Sequence, residues 1–531
     1  MTSQGDLSNK RRVLLEKLRE GKLDQQGRKT LLPPLPHHDP EQPAPLSYGQ
    51  QQLWFLSQLQ PDSAVYNTPI VIEIPGDLDE VALQQSLQAF LDRHHLWRSS
   101  FPTLNGSPVQ VVEPCPSLPL PVTDFSSLPA PEQFAAARSF VEQQARLPFD
   151  LSQAPLLHVC LLHFSPQLHW LVLVVHHIIC DGHTVQSILL PELFHLYRRF
   201  CQQSSPNIEP APYQYADYTL WQQAHFSAER LQQLVAFWKR YLEGAPTALS
   251  LPTDRPRPAQ QSFQGSTYHF TIAQDIMEMV HNFVRKEGIS LYTALVAAFQ
   301  ILLYRYSYQE DFLIGIFTSD RHHRPEFESI PGYFLNTLVL RSQLSNTLSA
   351  RELVKQTWHN LTEVLAHGDM PFYHLVQHLL PERDLSQNPL FQVAVSLAPA
   401  PASLPEGWRV QESTLSNGSS RFDLSLILEE LPDGSLHGCI EYSSELFEEQ
   451  TIVRLARHWQ TLLSSLVSDP SCSLASLPLL SPEERHQLLV SFSSSSQTLP
   501  PSPAPAIHLL FEAQAQRSPS SCALLDLPSG S

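Results

Sequence analysis

The sequence predicts a mixed α/β (α+β) protein built as two lobes, and three observations carry that reading. The chain has 531 residues, more than one hydrophobic core usually organises, so two core-bearing units plus trimmings are expected. Its 42% apolar and 16% charged residues are those of a globular protein, and no uninterrupted apolar run reaches the length of a membrane span. Helix and strand signals alternate in both halves, with no short-period repeat of the solenoid kind.

In chain order, Ser8 to Glu20 reads as a short amphipathic helix, followed by a Pro/His/Gln-rich connector from Leu31 to Pro45. A helix is expected over Leu78 to Leu96, where Val81, Leu83, Leu87, Phe90 and Leu91 fall near one helical face. Leu168 to Val175 is almost wholly apolar and β-branched, the pattern of a strand buried on both faces. The Asp181-Gly182 turn releases the chain into a helix that starts near Thr184 and runs to about Tyr197. The region Phe194 to Trp221 reads as a hinge between the lobes. The second half repeats the grammar: a helix from about Ala273 to Arg285, a stop at Gly288, a cap at Ser290, a helix over Leu291 to Tyr306 and a strand over Phe312 to Phe317. A Ser/Pro-rich stretch, Ser491 to Pro505, closes the folded part.

Composition excludes several classes. With 52 acidic against 34 basic residues and a net charge of -18, the chain is ill suited to grip nucleic-acid phosphates. The seven cysteines occur singly with no CxxC pair, which fits reduced thiols better than a disulfide framework or a zinc site. The N-terminus is polar and charged and lacks the apolar core of a signal peptide, so a cytoplasmic location without membrane attachment is expected.

The chemistry points to His176-His177-Ile178-Ile179-Cys180-Asp181-Gly182, where a buried strand meets a turn. The chain holds 24 histidines and other adjacent pairs, so the pair gains meaning only from the Asp and Gly that follow it. Successive strand side chains point to opposite faces, so one histidine is structural and the other functional. A neutral imidazole at a strand end can take a proton from an attacking amine or hydroxyl, or hold that nucleophile against a carbonyl. Asp181 can orient the imidazole, or it can face away and fix the loop through an ion pair. Gly182 permits close backbone approach, and its N–H can face a developing oxyanion. No G-x-S-x-G elbow is present, so direct transfer between two bound substrates is simpler than a covalent serine route. The competing reading is a buried strand end whose histidines merely satisfy backbone groups.

The pattern His176-His177-x-x-x-Asp181-Gly182 resembles the signature of condensation domains of nonribosomal peptide synthetases, within the chloramphenicol acetyltransferase-like superfamily. Companion segments resemble the other motifs of that family in order. They are Leu46 to Leu56, Arg93 to Phe101, Tyr213 to Tyr218, Ile314 through Gly332 to Arg341, His367 to Phe372, and Arg383 to Gln392. The resemblance covers about Pro45 to Leu489.

It implies a V-shaped pseudo-dimer of two acetyltransferase-like lobes with the active site between them. Donor and acceptor carrier-protein domains would deliver acyl and aminoacyl thioesters on phosphopantetheine arms, and the reaction would be amide-bond formation. By the same resemblance His177 is the catalytic residue, as base or as positioner of the amine. His176, Asp181 and Gly182 are supporting residues, Arg98 matches the usual ion-pair partner of Asp181, and Asn336 is an active-site-facing or lobe-bridging residue for which packing is the favoured role. No metal, nucleotide or other cofactor is required by the chain itself.

The implied domains are an N-terminal docking or linker helix (1–30), a Pro-rich linker (31–45), lobes at 46–220 and 221–489, a linker (490–505) and a truncated start of an adenylation domain (506–531). That last segment stops before any ATP-binding motif, so amino-acid activation and loading are expected from other polypeptides or from a truncated remainder, with an adenylation domain downstream as the expected partner. Gln52, His183 and Tyr373 depart from common family residues and leave the donor and acceptor subtype open. The Asp320-Arg321-His322-His323-Arg324 run also departs from the family and reads as a solvated loop. Two alternatives stand beside amide synthesis: a recruitment module that binds carriers or tailoring enzymes without catalysis, and an epimerising or ester-forming relative.

Overall fold

The computed structural model describes residues 34–114, 117–202, 207–379, 384, 386–398, 407–410, 415–491 and 507–520. The helix expected over 8–20 and nearly all of the 490–505 linker lie outside the described residues. Two units are distinguished, Met1–Leu479 and Leu480–Ser531. The first carries two large sheets. In the second, the described helix Ile507–Arg517 exposes Leu509, Leu510 and Phe511.

The first large sheet has five strands in the order Arg409–Val410, Asn67–Pro75, Leu168–His176, Leu157–Ser165 and Val122–Asp124. Leu168–His176 lies in its middle, antiparallel to both neighbours. Leu171, Leu173 and Val175 point into one apolar core, while Trp170, Val172 and Val174 point into another beneath the helix Ala130–Ala145. Both faces are buried, so the strand shows no apolar/polar alternation. Each such side chain contributes about 1.5–3 kcal/mol by leaving water.

The helix Glu80–Arg93 begins where the Asp79 side chain accepts the Ala82 N–H. Leu83, Leu87, Phe90 and Leu91 are buried as their spacing indicates, but Val81 is 65% exposed. Val81 sits in the first turn, outside the stripe that the other four define.

The second large sheet has six strands in the order Leu335–Gln343, Asp311–Ser319, Val393–Ala398, Leu424–Glu430, Leu436–Ser443 and Gly265–Ile272. The helix Gln274–Glu287 stops at Gly288, whose φ of 69° is left-handed. Ser290 then caps the helix Leu291–Ser307, accepting the Thr293 N–H. This second helix is buried on every side from Thr293 to Tyr304 and forms the spine of that core. The two helices are bent by 107°, and no single helix among the described residues is long and apolar enough to cross a membrane.

The second half of the chain returns into the first. Phe327, Ile330, Phe334 and Trp408 join the core that Leu171 and Leu173 line. Arg409–Val410 extends the first sheet, and the Asn417 amide donates to the carbonyls of Ala64 and Asn67. A boundary at 220/221 therefore separates neither the cores nor, strictly, the sheets, since one strand of the first sheet comes from the second half. The run at 320–324 is also not the solvated loop its charge suggested, because Asp320, Arg321 and Arg324 are buried.

Close packing makes Gly315 a sensitive position. A Cβ there would lie 2.2 Å from the ring of buried Phe391, whereas one at Gly182 would enter open space. Gly315→Ala is expected to cost about 1–3 kcal/mol through overpacking. A lowered urea midpoint for this variant, with Gly182→Ala close to wild type, is the expected result.

Candidate active site

The histidine pair is positioned by strand register. His176 pairs with Asn67 at the end of the sheet, and the next residue, His177, donates its backbone N–H to the Tyr66 carbonyl at 2.8 Å. The chain then turns through the short 3₁₀ helix His177–Ile179. Gln50, on the helix Tyr48–Leu59, braces that turn by donating to the Ile178 carbonyl at 3.2 Å. The first motif thus supports the third from behind.

The two imidazoles have different partners. His176 is buried between Tyr66 and Phe149, and its Nδ1 accepts the Ile178 N–H at 3.2 Å. His177 is only partly buried, and its Nδ1 lies 2.8 Å from the Cys180 carbonyl. A carbonyl only accepts, so Nδ1 carries the proton and Nε2 keeps a free lone pair. The Tyr333 ring stands edge-on to His177 with centroids 5.7 Å apart.

Burial and then the Arg421 charge hold the His177 pKa down at about 4, against weaker opposition from the Cys180 carbonyl and Asp181. Burial likewise lowers His176 to about 3, helped by its neighbour His177. Both rings are therefore neutral near pH 7. In the unfolded chain each titrates near the ordinary 6.5, so there the unfolded state binds more protons as the pH falls. Their contribution is complete above about pH 6.5 and is lost as the pH drops towards 4 and 3.

Asp181 does not touch the His177 ring. Its carboxylate accepts from the Thr184 N–H at 2.7 Å, the Thr184 hydroxyl at 2.8 Å and the Phe334 N–H at 3.1 Å. It pairs with Arg321 Nη2 at 3.2 and 3.3 Å. Asp181 is 1% exposed and Arg321 4%. Arg321 also donates to the Phe327 and Ile330 carbonyls and lies 4.0 Å over the Phe334 ring. Of the two roles open to Asp181, the geometry selects the ion pair that fixes the loop.

The partner expected from the family pattern, Arg98, is not the one found. Arg98 donates to the Glu113 carbonyl at 2.5 Å and makes no contact with Asp181. It lies at the start of a small sheet, whereas Arg321 arrives beside Asp181 on the segment that enters the first core. Gly182 is exposed, and the space beside it is open. Asn336 works within the second lobe: its amide donates to the Gly368 and Met370 carbonyls at 2.8 Å, and its oxygen accepts the Phe372 N–H. It clamps a loop and does not bridge the lobes.

Sequence reading missed Arg321, Arg421 and Tyr66. Arg421 precedes a strand some 240 residues beyond His177, and its charge also acts on Tyr66 and Tyr333. The one local clue was a charged residue in the otherwise neutral Ser419–Phe422 stretch. A groove of about 770 Å³ lined by His38, Arg93, His95, Gln214 and Asp217 lies elsewhere and does not include His177. The five described cysteines, Cys160, Cys180, Cys201, Cys439 and Cys472, are free thiols.

Two outcomes follow from these contacts. Arg321→Ala should cost about 3–5 kcal/mol by stranding a buried carboxylate, and Arg98→Ala about 2 kcal/mol or less; equal losses in urea denaturation would return Asp181 to Arg98. In thermal melts from pH 7 to pH 4, His176→Asn should lose stability less steeply than wild type, since it lacks one of the two rings that charge on unfolding; parallel slopes would contradict this.

Comparison with known proteins shows the family and the fold. The family model described as "Condensation domain" matches residues 40–489. A linear gramicidin synthase of Brevibacillus parabrevis is 40% identical over 460 residues, which is 86% of this chain and 9% of that protein. Chondramide synthase cmdD of Chondromyces crocatus is 37% identical over 496 residues, 93% of this chain and 12% of that protein. The chain thus spans about a tenth of the length of these curated relatives. Among solved structures, the first condensation domain of the calcium-dependent antibiotic synthetase shares the fold with a TM-score of 0.72 at 20% identity, covering 83% of this chain and all of that one. The X-domain from teicoplanin biosynthesis does so with a TM-score of 0.75 at 23% identity, over 84% and 100%. With its histidine turn braced as described and its family model matched over most of its length, this chain belongs to the condensation-domain family of nonribosomal peptide synthetases.

Proposed function

We propose that this chain forms an amide bond between a donor acyl or peptidyl thioester and the amine of an acceptor aminoacyl thioester, with His177 at the reacting centre. The observation that carries the reading is the His177 tautomer: Nδ1–H is held on the Cys180 carbonyl, and Nε2 is left as an acceptor. The amine nitrogen attacks the thioester carbon, the C–S bond breaks, and the thiol leaves with the proton that the amine gives up. A ring whose pKa lies near 4 is a weak base. It is better suited to accepting a hydrogen bond from the attacking amine than to stripping a full ammonium of its proton. Positioning, with the effective concentration it brings, is thus the favoured role for Nε2. His176, Asp181 and Arg321 act through it by holding the turn, and open Gly182 leaves room for substrate.

Both substrates would arrive on phosphopantetheine arms of carrier domains, and the chain would bind no cofactor of its own. Residues 506–531 are read as the opening of an adenylation domain, consistent with the exposed Leu509, Leu510 and Phe511 of the helix there. A cytoplasmic location follows from the same reading. The recruitment alternative has in its favour a fold shared with an X-domain that was solved in complex with OxyB. The free Nε2 of His177 favours catalysis over it.

His177→Ala should lower product formation from two loaded carriers by about 10²–10⁴-fold while leaving carrier binding intact. Unchanged turnover would remove the catalytic assignment, and carrier binding without turnover in the wild type would favour recruitment.

A further inference from the structure

A second constellation, outside the histidine turn, is formed by His322, His323 and Asp369. We propose that these three residues bind a divalent transition cation of the Zn²⁺ type. One ligand atom from each lies within 4.8 Å of the others. Zinc takes nitrogen and carboxylate ligands at about 2.0–2.2 Å, so the donors need close by only about an ångström to share an ion.

Each side chain is held in place by a neighbouring contact. The Nδ1 of His322 faces the Ser319 carbonyl at 2.5 Å, so that nitrogen carries the hydrogen and Nε2 keeps its lone pair. Such a carbonyl contact is the usual outer support of a metal-binding histidine. The His323 side chain is 4% exposed, and its Nε2 lies 3.1 Å from Asp369 Oδ1. The other carboxylate oxygen, Oδ2, is taken by Arg230 at 2.9 Å, so Oδ1 meets only His323, and a bound ion would take the place of the hydrogen between them. Asn336 fixes the loop that carries Asp369 through the Gly368 and Met370 carbonyls.

The surroundings add a further imidazole. His225 Nε2 is 4.0 Å from Asp369 Oδ2, and its ring stacks on Trp221. Imidazole nitrogens with one carboxylate suit zinc better than the all-oxygen shells of calcium or magnesium. His322 is exposed and gives the ion a route from solvent, while His323 lies deeper. None of the three hydrogen-bonds to His177, so the site does not depend on the condensation reading. It shares the short 3₁₀ helix Asp320–His323 with Arg321, so a bound ion would brace the residue that holds Asp181.

The test is titration of the full chain with Zn²⁺ by calorimetry in a buffer that does not chelate, repeated with Co²⁺ to read visible absorption. His322→Gln changes an exposed residue and should fold as wild type; Asp369→Asn removes the carboxylate. The expected result is one saturable equivalent of Zn²⁺, weakened by about 10–100-fold or more in His322→Gln. The melting temperature should rise with Zn²⁺ concentration in wild type and much less in that variant. No saturable binding would overturn the proposal, as would equal affinity in wild type and both variants, which would place the ion on one of the other histidine pairs.

Discussion

A carboxylate and a guanidinium removed from water are tolerated only when each finds the other and every remaining hydrogen-bonding group is met. Asp181 and Arg321 satisfy that constraint, and much of the molecule is arranged around them. The carboxylate collects Thr184, Phe334 and Arg321, which joins the turn after the histidine strand to a segment more than 130 residues later. The guanidinium in turn gathers the carbonyls of Phe327 and Ile330. Four aromatic residues close over this knot, with Tyr215 and Tyr218 packed against Phe334 and Phe327. Next to it, Asp320 is bound by Tyr218 and Gln222. The helix Tyr215–His225 and the second-half segment are thereby locked to the same place.

The histidine turn inherits its precision from this arrangement. Its upstream side is fixed by the sheet, through the Asn67–His176 pairing and the Tyr66 carbonyl. Its downstream side is fixed by Asp181. Between them His177 has little freedom, and its Nδ1 contact with Cys180 sets which nitrogen is available. Gly49 packs so closely on Tyr333 that a Cβ would lie 2.8 Å from that ring, so the first motif also shapes the aromatic wall beside His177. Motifs far apart in sequence are in this way parts of one support.

What was legible in the sequence was whatever short-range physics decides. The uninterrupted apolar run of Leu168–His176 announced a strand buried on both faces, and Gly288 with Ser290 marked a helix stop and a helix cap. Strand alternation suggested unequal roles for His176 and His177, and the two rings do have different partners, but His177 already lies in the 3₁₀ turn, where that alternation no longer applies. Partners chosen by the tertiary fold were not legible. The pairing of Asp181 with Arg321 instead of Arg98 depends on where a distant segment enters the first core. The run Asp320 to Arg324 looked solvated because charge usually is, yet its charges are buried with partners. Arg421 stands out locally only as a charge in a neutral stretch, and its influence on His177 is a matter of proximity in space.

The central claim is that Asp181 and Arg321 act as one unit on which the turn depends. A double-mutant cycle in urea denaturation with Asp181→Asn, Arg321→Gln and the double variant tests it most directly. If the pair is a unit, each single variant leaves an unpaired buried group, and the double variant loses less than the two single losses added, with a coupling of about 1–3 kcal/mol. Losses that simply add would contradict the account.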